Sequence, residues 1–410
     1  MAAESPAAPA PVAAPAPIAG VRLATVAAGI RKAARPDLVL VELVEGARCA
    51  AVFTRNAFCA APVTVAREHL AAAQPRYLLI NTGNANAGTG AAGIAAARRC
   101  AAAVAAAGGV DAGRVLPFST GVIGEPLPLA PIEAAVPRLF GGLAEDGWAA
   151  AAAGILTTDT RPKLASRRVA CDGRVVTVTG MAKGAGMIRP DMATMLAFLA
   201  TDAAVAAPCL DRLLRAAVER SFHRITIDGD TSTNDACALI ATGAAGNDPI
   251  TAADTPSARA LGEAVAEVCL ALARDLVRDG EGASKFVAVA VGGGRDGAEC
   301  LAVAFTIAHS PLVKTALFAS DPNWGRVLAA IGRAGLADLD VSRVALRLNG
   351  VLLAAGGCRA DSYTEAAGAA AMAGREIRID VDLGRGDARE TVWTSDFSYD
   401  YVRINAEYRT

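Results

Sequence analysis

Histidine is nearly missing from this chain. Only His69, His223 and His309 occur in 410 residues, which leaves a histidine-based triad or a multi-histidine metal site short of parts. Lysine is scarce as well: Lys32, Lys163, Lys183, Lys285 and Lys314 are the five among 40 basic residues. Aromatic side chains make up 4%, so the core must be assembled from Ala, Val, Leu and Ile, which suits closely stacked helices and sheets. There is no charge surplus, with 40 Lys+Arg against 41 Asp+Glu. A protein that neutralised nucleic-acid phosphates would need a basic excess or stripe, so no nucleic-acid partner is expected.

No stretch is apolar enough for a membrane span. The longest charge-free run, residues 77–97, carries three Asn, two Thr and four Gly, which are polar groups and helix breakers that lipid would not tolerate. Residues 1–18 are rich in Ala and Pro and read as a disordered leader; Glu4 stands where a signal peptide would have a basic region. The expected location is cytoplasmic, without membrane association. Nine cysteines form no C-x-x-C pair, and their mostly apolar surroundings read as buried reduced thiols.

At 410 residues, two domains or one large layered body are expected. Short β-like runs at 38–44, 63–65 and 77–80 alternate with alanine-rich helical stretches such as 93–107, which argues for an α/β or α+β body. An amphipathic helix is predicted over 208–220. The longest predicted helix, 256–278, has Leu261, Val265, Val268, Leu272 and Leu276 on one face and stops at Asp279-Gly280. Strands are predicted at 175–179, 194–200, 286–291, 344–348 and 376–381. The C-terminal segment from Ser398 carries Tyr399, Tyr401, Ile404 and Tyr408, so it is expected to be tied down rather than frayed.

Two loops imitate known ligand motifs. Gly88-Thr89-Gly90-Ala91-Ala92-Gly93 fits G-x-G-x-x-G, but Asn81 to Ala87 separate it from the strand before it, so a structural turn into a helix is favoured over dinucleotide binding. Asp228 to Asp235 looks like the start of a calcium loop, yet Thr233 stands where glycine is needed and Leu239 where glutamate is needed. A turn feeding a helix capped by Thr231 or Ser232 is the expected role, and no metal site is expected.

The informative stretch runs Lys183-Gly184-Ala185-Gly186-Met187-Ile188-Arg189-Pro190-Asp191-Met192-Ala193-Thr194-Met195-Leu196-Ala197-Phe198. A glycine loop leads through a small residue to a threonine and an apolar strand. Cutting the Ala193–Thr194 bond would give Thr194 its own α-amine, with an unperturbed pKa of about 7.7–8.0, as a general base beside its hydroxyl. One residue would then supply both nucleophile and base, which suits a catalyst with almost no histidine.

This segment resembles the signature of the ornithine acetyltransferase (glutamate N-acetyltransferase) family, the bifunctional ArgJ family of arginine biosynthesis. Asn84-Ala85-Asn86-Ala87, Ser119-Thr120-Gly121-Val122-Ile123-Gly124, Thr157-Thr158-Asp159-Thr160, Asp279-Gly280-Glu281-Gly282-Ala283, Ser310 to Ala316, Ser320 to Arg326 and the ending Tyr399 to Thr410 agree as well, in order along nearly the whole chain. Asp191, Ser284 and Gly88 depart from common family residues without touching a catalytic role. The resemblance implies an α/β fold, an ArgJ/DmpA-like sandwich of sheets and helices with two interleaved domains, of N-terminal-nucleophile type after self-cleavage. The implied products are an α chain, 1–193, and a β chain, 194–410, that assemble as an α2β2 heterotetramer or a larger assembly.

The implied reaction moves acetyl from N2-acetyl-L-ornithine to L-glutamate through an acetyl ester on Thr194, with ping-pong kinetics. Thr120 and Gly121 map to the oxyanion hole, and Thr157, Lys183, Thr194, Glu281, Asn405 and Thr410 to substrate binding. No cofactor is expected to be bound; acetyl-CoA is a candidate second donor. The competing readings are an N-terminal-nucleophile amidase or aminopeptidase and, more remotely, an NAD-binding oxidoreductase.

Overall fold

The computed structural model describes residues 15–30, 35–189 and 195–407. Ala193, Thr194 and Thr410 therefore lie outside the described residues, as does most of the leader.

Two sheets face each other. The first has the strand order Val21–Val26, Leu38–Leu43, Tyr77–Asn84, Val115–Val122; the second runs Arg48–Phe53, Ala236–Ala241, Leu196–Thr201, Arg174–Lys183, Lys163–Cys171. Between them lies a core of Leu23, Val41, Leu78, Ile80 and Leu116 from one sheet and Met181, Leu196, Ala238 and Ile240 from the other. Phe118 and Phe198 meet edge to face across it, ring centroids 5.0 Å apart, a geometry worth about 1 kcal/mol beyond the area it buries. Helices Gly90–Gly108 and Leu129–Gly141 cover the outer face of the first sheet. Helices Ala207–Glu219 and Pro256–Arg278 cover that of the second. Both sheets are thus buried on two faces, so their strands read as near-continuous apolar runs rather than alternating ones.

The second helix pair was well marked in the sequence. Pro256–Arg278 has proline in its first turn, and the Thr255 side chain accepts from Ala258 N–H at 3.1 Å, satisfying one of the orphan donors there. It ends where Asp279 was expected to end it.

Residues 286–395 form a further unit, a six-stranded sheet ordered Cys358–Arg359, Val351–Ala355, Ala345–Leu348, Glu376–Asp382, Phe286–Gly294, Ala388–Ser395. Helices Gly297–Ala308, Pro311–Phe318, Trp324–Gly332 and Glu365–Met372 share its core. It joins the sandwich through Thr226 N–H, which donates to Trp393 O at 2.9 Å, and through Arg274 and Arg278, stacked over Trp393 and Phe286 at 4.8 and 4.2 Å.

The five-stranded sheet takes three strands from before residue 193 and two from after it, and Arg48–Phe53 pairs antiparallel with Ala236–Ala241. Among the described residues no single helix is long and apolar enough to cross a membrane. Seven of the nine cysteines are buried, Cys59 is half-buried and Cys358 is exposed; all are free.

Two expectations fail. Val63 to Val65 lie inside the helix Ala61–Ala72; Pro62 presets the first turn, and burial of Val63, Val65 and Ala66 overrides the β-branched preference. The loop 228–235 feeds a strand, Ala236–Ala241, not a capped helix. All six strand residues are buried, and a short wholly apolar run carries no periodicity to tell strand from helix.

Candidate active site

A cavity of about 270 Å³ opens where the two sheets meet the C-terminal helix, and it brings together Thr120, Gly121, Thr157, Lys183, Glu281 and Asn405. Met195 and Leu196 line it too. Met195 is pinned by Ala236 N–H, which donates to its carbonyl at 3.0 Å, so the chain just after Thr194 borders the cavity. Every described residue that the family resemblance assigns to the site is thus in one place.

Gly121 sits there because only glycine fits. Its φ is +137°, and a Cβ on it would fall 2.3 Å from the Gly83 carbonyl carbon; the parallel strands Tyr77–Asn84 and Val115–Val122 approach closely there, with an irregular register at Asn84. The Asn84 and Asn86 motif holds this end of the sheet. Asn84 Nδ2 donates to the carbonyls of Glu125 and Pro126 at 3.1 and 3.0 Å, and Asn84 Oδ1 accepts from Asn86 N–H at 2.8 Å. Asn86 in turn donates to Gly93 O at 3.0 Å and accepts from Thr89 Oγ1 at 2.9 Å. Side chains therefore fill the G-x-G-x-x-G turn, and a Cβ at Gly93 would fall 1.9 Å from Thr89 Oγ1. The turn starts the helix Gly90–Gly108, as the structural reading expected.

Lys183 Nζ donates to Thr120 Oγ1 at 3.1 Å. An ammonium can only donate, so this bond leaves the Thr120 hydroxyl proton for another acceptor. Lys183 is buried; burial pushes its pKa down, and Asp159 opposes that. Glu281, also buried, accepts from Asn405 Nδ2 at 2.8 Å. A Cβ at Gly186 would fall 2.4 Å from the Glu281 carboxylate, so the glycine loop presses against this acid.

Of the C-terminal segment expected to be tied down, Tyr408 to Thr410 lie outside the described residues, and the helix Tyr399–Ala406 buries none of its residues but is fastened at its start. Ser398 Oγ donates to Gly282 O at 2.6 Å, and Tyr401 stacks on Phe397 with centroids 4.7 Å apart. The loop 228–235 has a different role from the one expected. The Asp228 carboxylate accepts from Met187 N–H at 2.6 Å and Ile188 N–H at 2.8 Å, while Thr233, Asn234 and Asp235 line the cavity. Sequence reasoning missed these; the one signal was an acidic loop that fitted no metal motif. Among the described residues no group of His, Cys, Asp and Glu is arranged to hold a metal ion.

Behind the cavity lies a second feature that the sequence left unassigned. Lys163 is wholly buried, 2.5 Å from Asp159 and 2.5 Å from Asp279. Burial would push the Asp159 pKa up, but Lys183 and Lys163 beside it hold it down at about 2. All four described lysines, at positions 163, 183, 285 and 314, are buried, a placement uncommon for this residue type.

The ArgJ family model matches residues 22–410. The chain belongs to the ArgJ family. The arginine biosynthesis bifunctional protein ArgJ of Pseudomonas syringae pv. tomato is 57% identical over 394 residues, 96% of this chain and 97% of that one. The protein of the same name from Methylococcus capsulatus is 59% identical, with 96% of each chain covered. Among solved structures, a chain of the arginine biosynthesis bifunctional protein ArgJ of Bacillus halodurans is similar at 36% identity and a TM-score of 0.50, covering 52% of this chain and 99% of that one.

Proposed function

We propose that this member of the ArgJ family carries acetyl from N2-acetyl-L-ornithine to L-glutamate in arginine biosynthesis, through an acetyl ester on Thr194. One observation carries the reading: Thr120, Gly121, Thr157, Lys183, Glu281 and Asn405, from five separate stretches of chain, converge on a cavity that Met195 also lines.

In maturation the Thr194 hydroxyl attacks the Ala193 carbonyl, and the acyl group passes from the α-nitrogen to Oγ. Water hydrolyses that ester to leave a carboxylate on Ala193 and a free α-amine on Thr194, which then takes the proton from its own Oγ. The oxygen attacks the acetyl carbonyl. The resulting oxyanion receives the Gly121 N–H and the Thr120 O–H that Lys183 leaves available; losing one such donor typically costs about 3–4 kcal/mol of barrier. Collapse expels ornithine, whose amine takes the proton back from the Thr194 α-ammonium. The glutamate amine then attacks the ester, gives its proton to the α-amine, and N-acetyl-L-glutamate leaves as Oγ is reprotonated. Lys183 pairs with the α-carboxylate common to both substrates and Glu281 with an ammonium, with Asn405, Thr157 and the Thr410 carboxylate completing the site. Acetyl-CoA serves as a second donor at the same threonine, a reading supported by the word bifunctional in the names of the relatives.

The cut leaves the body whole, because the strands on either side of it pair from Val178 with Thr201 to Lys183 with Leu196. The share of this chain matched by the Bacillus halodurans chain, 52%, is close to that of residues 194–410, which supports separate α and β chains. Two of each make the α2β2 assembly.

A denaturing gel with N-terminal sequencing tests the maturation: two chains are expected, the heavier beginning Thr-Met-Leu-Ala-Phe, and Thr194→Ala stays uncut and inactive. An uncut chain that still transfers acetyl would sink the free-amine mechanism. Ornithine release is expected to require glutamate; release equally fast without it would favour an amidase or aminopeptidase.

A further inference from the structure

The three stretches of backbone that bring Thr157, Lys183 and Glu281 to the cavity are fastened behind it to one set of charges. Asp159 accepts from Thr157 N–H at 3.0 Å and from Gly184 N–H at 2.7 Å. Asp279 accepts from Thr160 N–H at 3.0 Å and also from the Thr160 hydroxyl. Lys163 lies between the two carboxylates and is 0% exposed. Asp279 directly follows the helix Pro256–Arg278 and stands two residues before Glu281, whose own N–H donates to Ala185 O at 2.8 Å. Loop 157–160, the start of the glycine loop and the turn after the long helix thus share a single anchor.

We propose that Asp159, joined to Lys163 and Asp279, is a positioning residue of this enzyme: it sets the spacing of Thr157, Lys183 and Glu281 and keeps Lys183 charged to receive a substrate carboxylate. The proposal rests on the transferase reading above. Its charge logic is simple. Two carboxylates, Asp159 and Asp279, balance two ammonium groups, Lys163 and Lys183, in a region with little water to screen them. The groups that act on Lys183 are Asp159, Lys163, Asp235 and Glu281; Asp159 is the strongest of those that favour its charge. Removing the Asp159 charge leaves Lys163 to Asp279 alone and leaves Lys183, which lines the cavity, to the weaker pull of Asp235 and Glu281 against the repulsion of Lys163.

The test compares Asp159→Asn with the wild type, counting acetylated active sites in each so that inactive molecules drop out. Per active site, KM for both acetylornithine and glutamate is expected to rise about tenfold or more, and the basic limb of kcat/KM to move to lower pH by about one unit. Asp159→Glu should restore the pH limb more fully than KM, because it returns the charge but not the fit. A purely structural role would lower the number of active sites and the melting temperature while leaving KM and the pH limb in place; that outcome overturns the proposal. If Asp159→Asn does not fold, Thr160→Val serves instead, since it removes one hydrogen bond to Asp279 without changing charge. A several-fold rise in KM is then expected with an unmoved pH limb, and an unchanged KM overturns the proposal. If the wild-type preparation transfers no acetyl, the transferase reading itself has failed.

Discussion

Buried ammonium groups are held in two different ways in two parts of this molecule. Beside the cavity, charge meets charge: Lys163 sits 2.5 Å from each of two carboxylates. In and beside the six-stranded unit, charge meets neutral oxygen. Lys285 donates to the Met372 and Gly374 carbonyls at 2.8 and 2.9 Å. Lys314 donates to Thr394 Oγ1 at 2.9 Å and to Ser395 O, under the Phe397 ring at 4.5 Å. The consequences differ in kind. Asp159 is held down at about 2, so its carboxylate stays charged at any working pH. Burial pulls Lys314 down to about 7 even though Asp396 and Asp228 oppose it, so its proton is loosely held near neutrality. The region beside the cavity uses paired ions. A region that only has to hold chain segments together uses lysine as a branched hydrogen-bond donor, and here the segment held leads to the helix bearing Asn405.

Substituting the two lysines alike separates the arrangements most strongly. Lys163→Met strands two buried carboxylates without their cation, and breaking such a group typically costs about 3–5 kcal/mol. Lys314→Met removes a donor but strands only a hydroxyl and a carbonyl, at about 1–3 kcal/mol. Chemical denaturation of both variants measures the gap. Equal losses would mean that the charge pairing behind the cavity adds nothing to ordinary hydrogen bonding.

The next effect falls on catalysis rather than stability. In Gly186→Ala the new methyl would sit 2.4 Å from the Glu281 carboxylate, so Glu281 must turn away from Asn405 and the cavity. KM is expected to rise about five- to tenfold, roughly 1 kcal/mol of lost binding, with little change in melting temperature. Gly368 packs comparably in the other unit, where a Cβ would fall 2.6 Å from the Tyr363 hydroxyl. Gly368→Ala should do the reverse, lowering the melting temperature and leaving KM alone.

The contrast bears on what the sequence could disclose. Long helices with caps, such as Pro256–Arg278, were legible because period, proline and terminating residue agree. The two runs misread, 63–65 and 236–241, are short and apolar, and only their neighbours decide what they become. Among candidate site residues, those in recognisable motifs, Thr120, Gly121, Thr157, Lys183, Glu281 and Asn405, come from the family resemblance and meet at one cavity. Lys163, Asp159 and Asp279 were not assigned, although two of them stood inside quoted motifs. Nothing local marks a charge as buried, because the partners of Lys163 lie 4 and 116 residues away along the chain.

Acid titration sharpens the comparison with the smallest effect. His309 bonds Thr226 Oγ1 at 3.1 Å through Nε2, and burial, helped by Arg189, Lys314 and Arg333, pushes its pKa from 6.5 down to about 4. The folded protein therefore keeps this ring neutral while the unfolded chain protonates it. Its share of the stability is complete above about pH 6.5 and is lost as pH falls towards 4, below which the loss stops growing. Asp159 follows the same sign lower down: depressed from 3.8 to about 2, it stabilises above about pH 4 and the benefit disappears as pH falls through 2. The stability these groups contribute should thus be lost in turn as pH falls, that of His309 between about 6.5 and 4 and that of Asp159 below about 4, a lower window it shares with the depressed Asp338. His309→Gln, which can still bond Thr226, should remove the first loss, about 1 kcal/mol at pH 5 once partial exposure of the ring is allowed for, and leave the second untouched. A variant that still loses stability between pH 6.5 and 4 as the wild type does would place the first loss elsewhere and end the division of labour between the two regions.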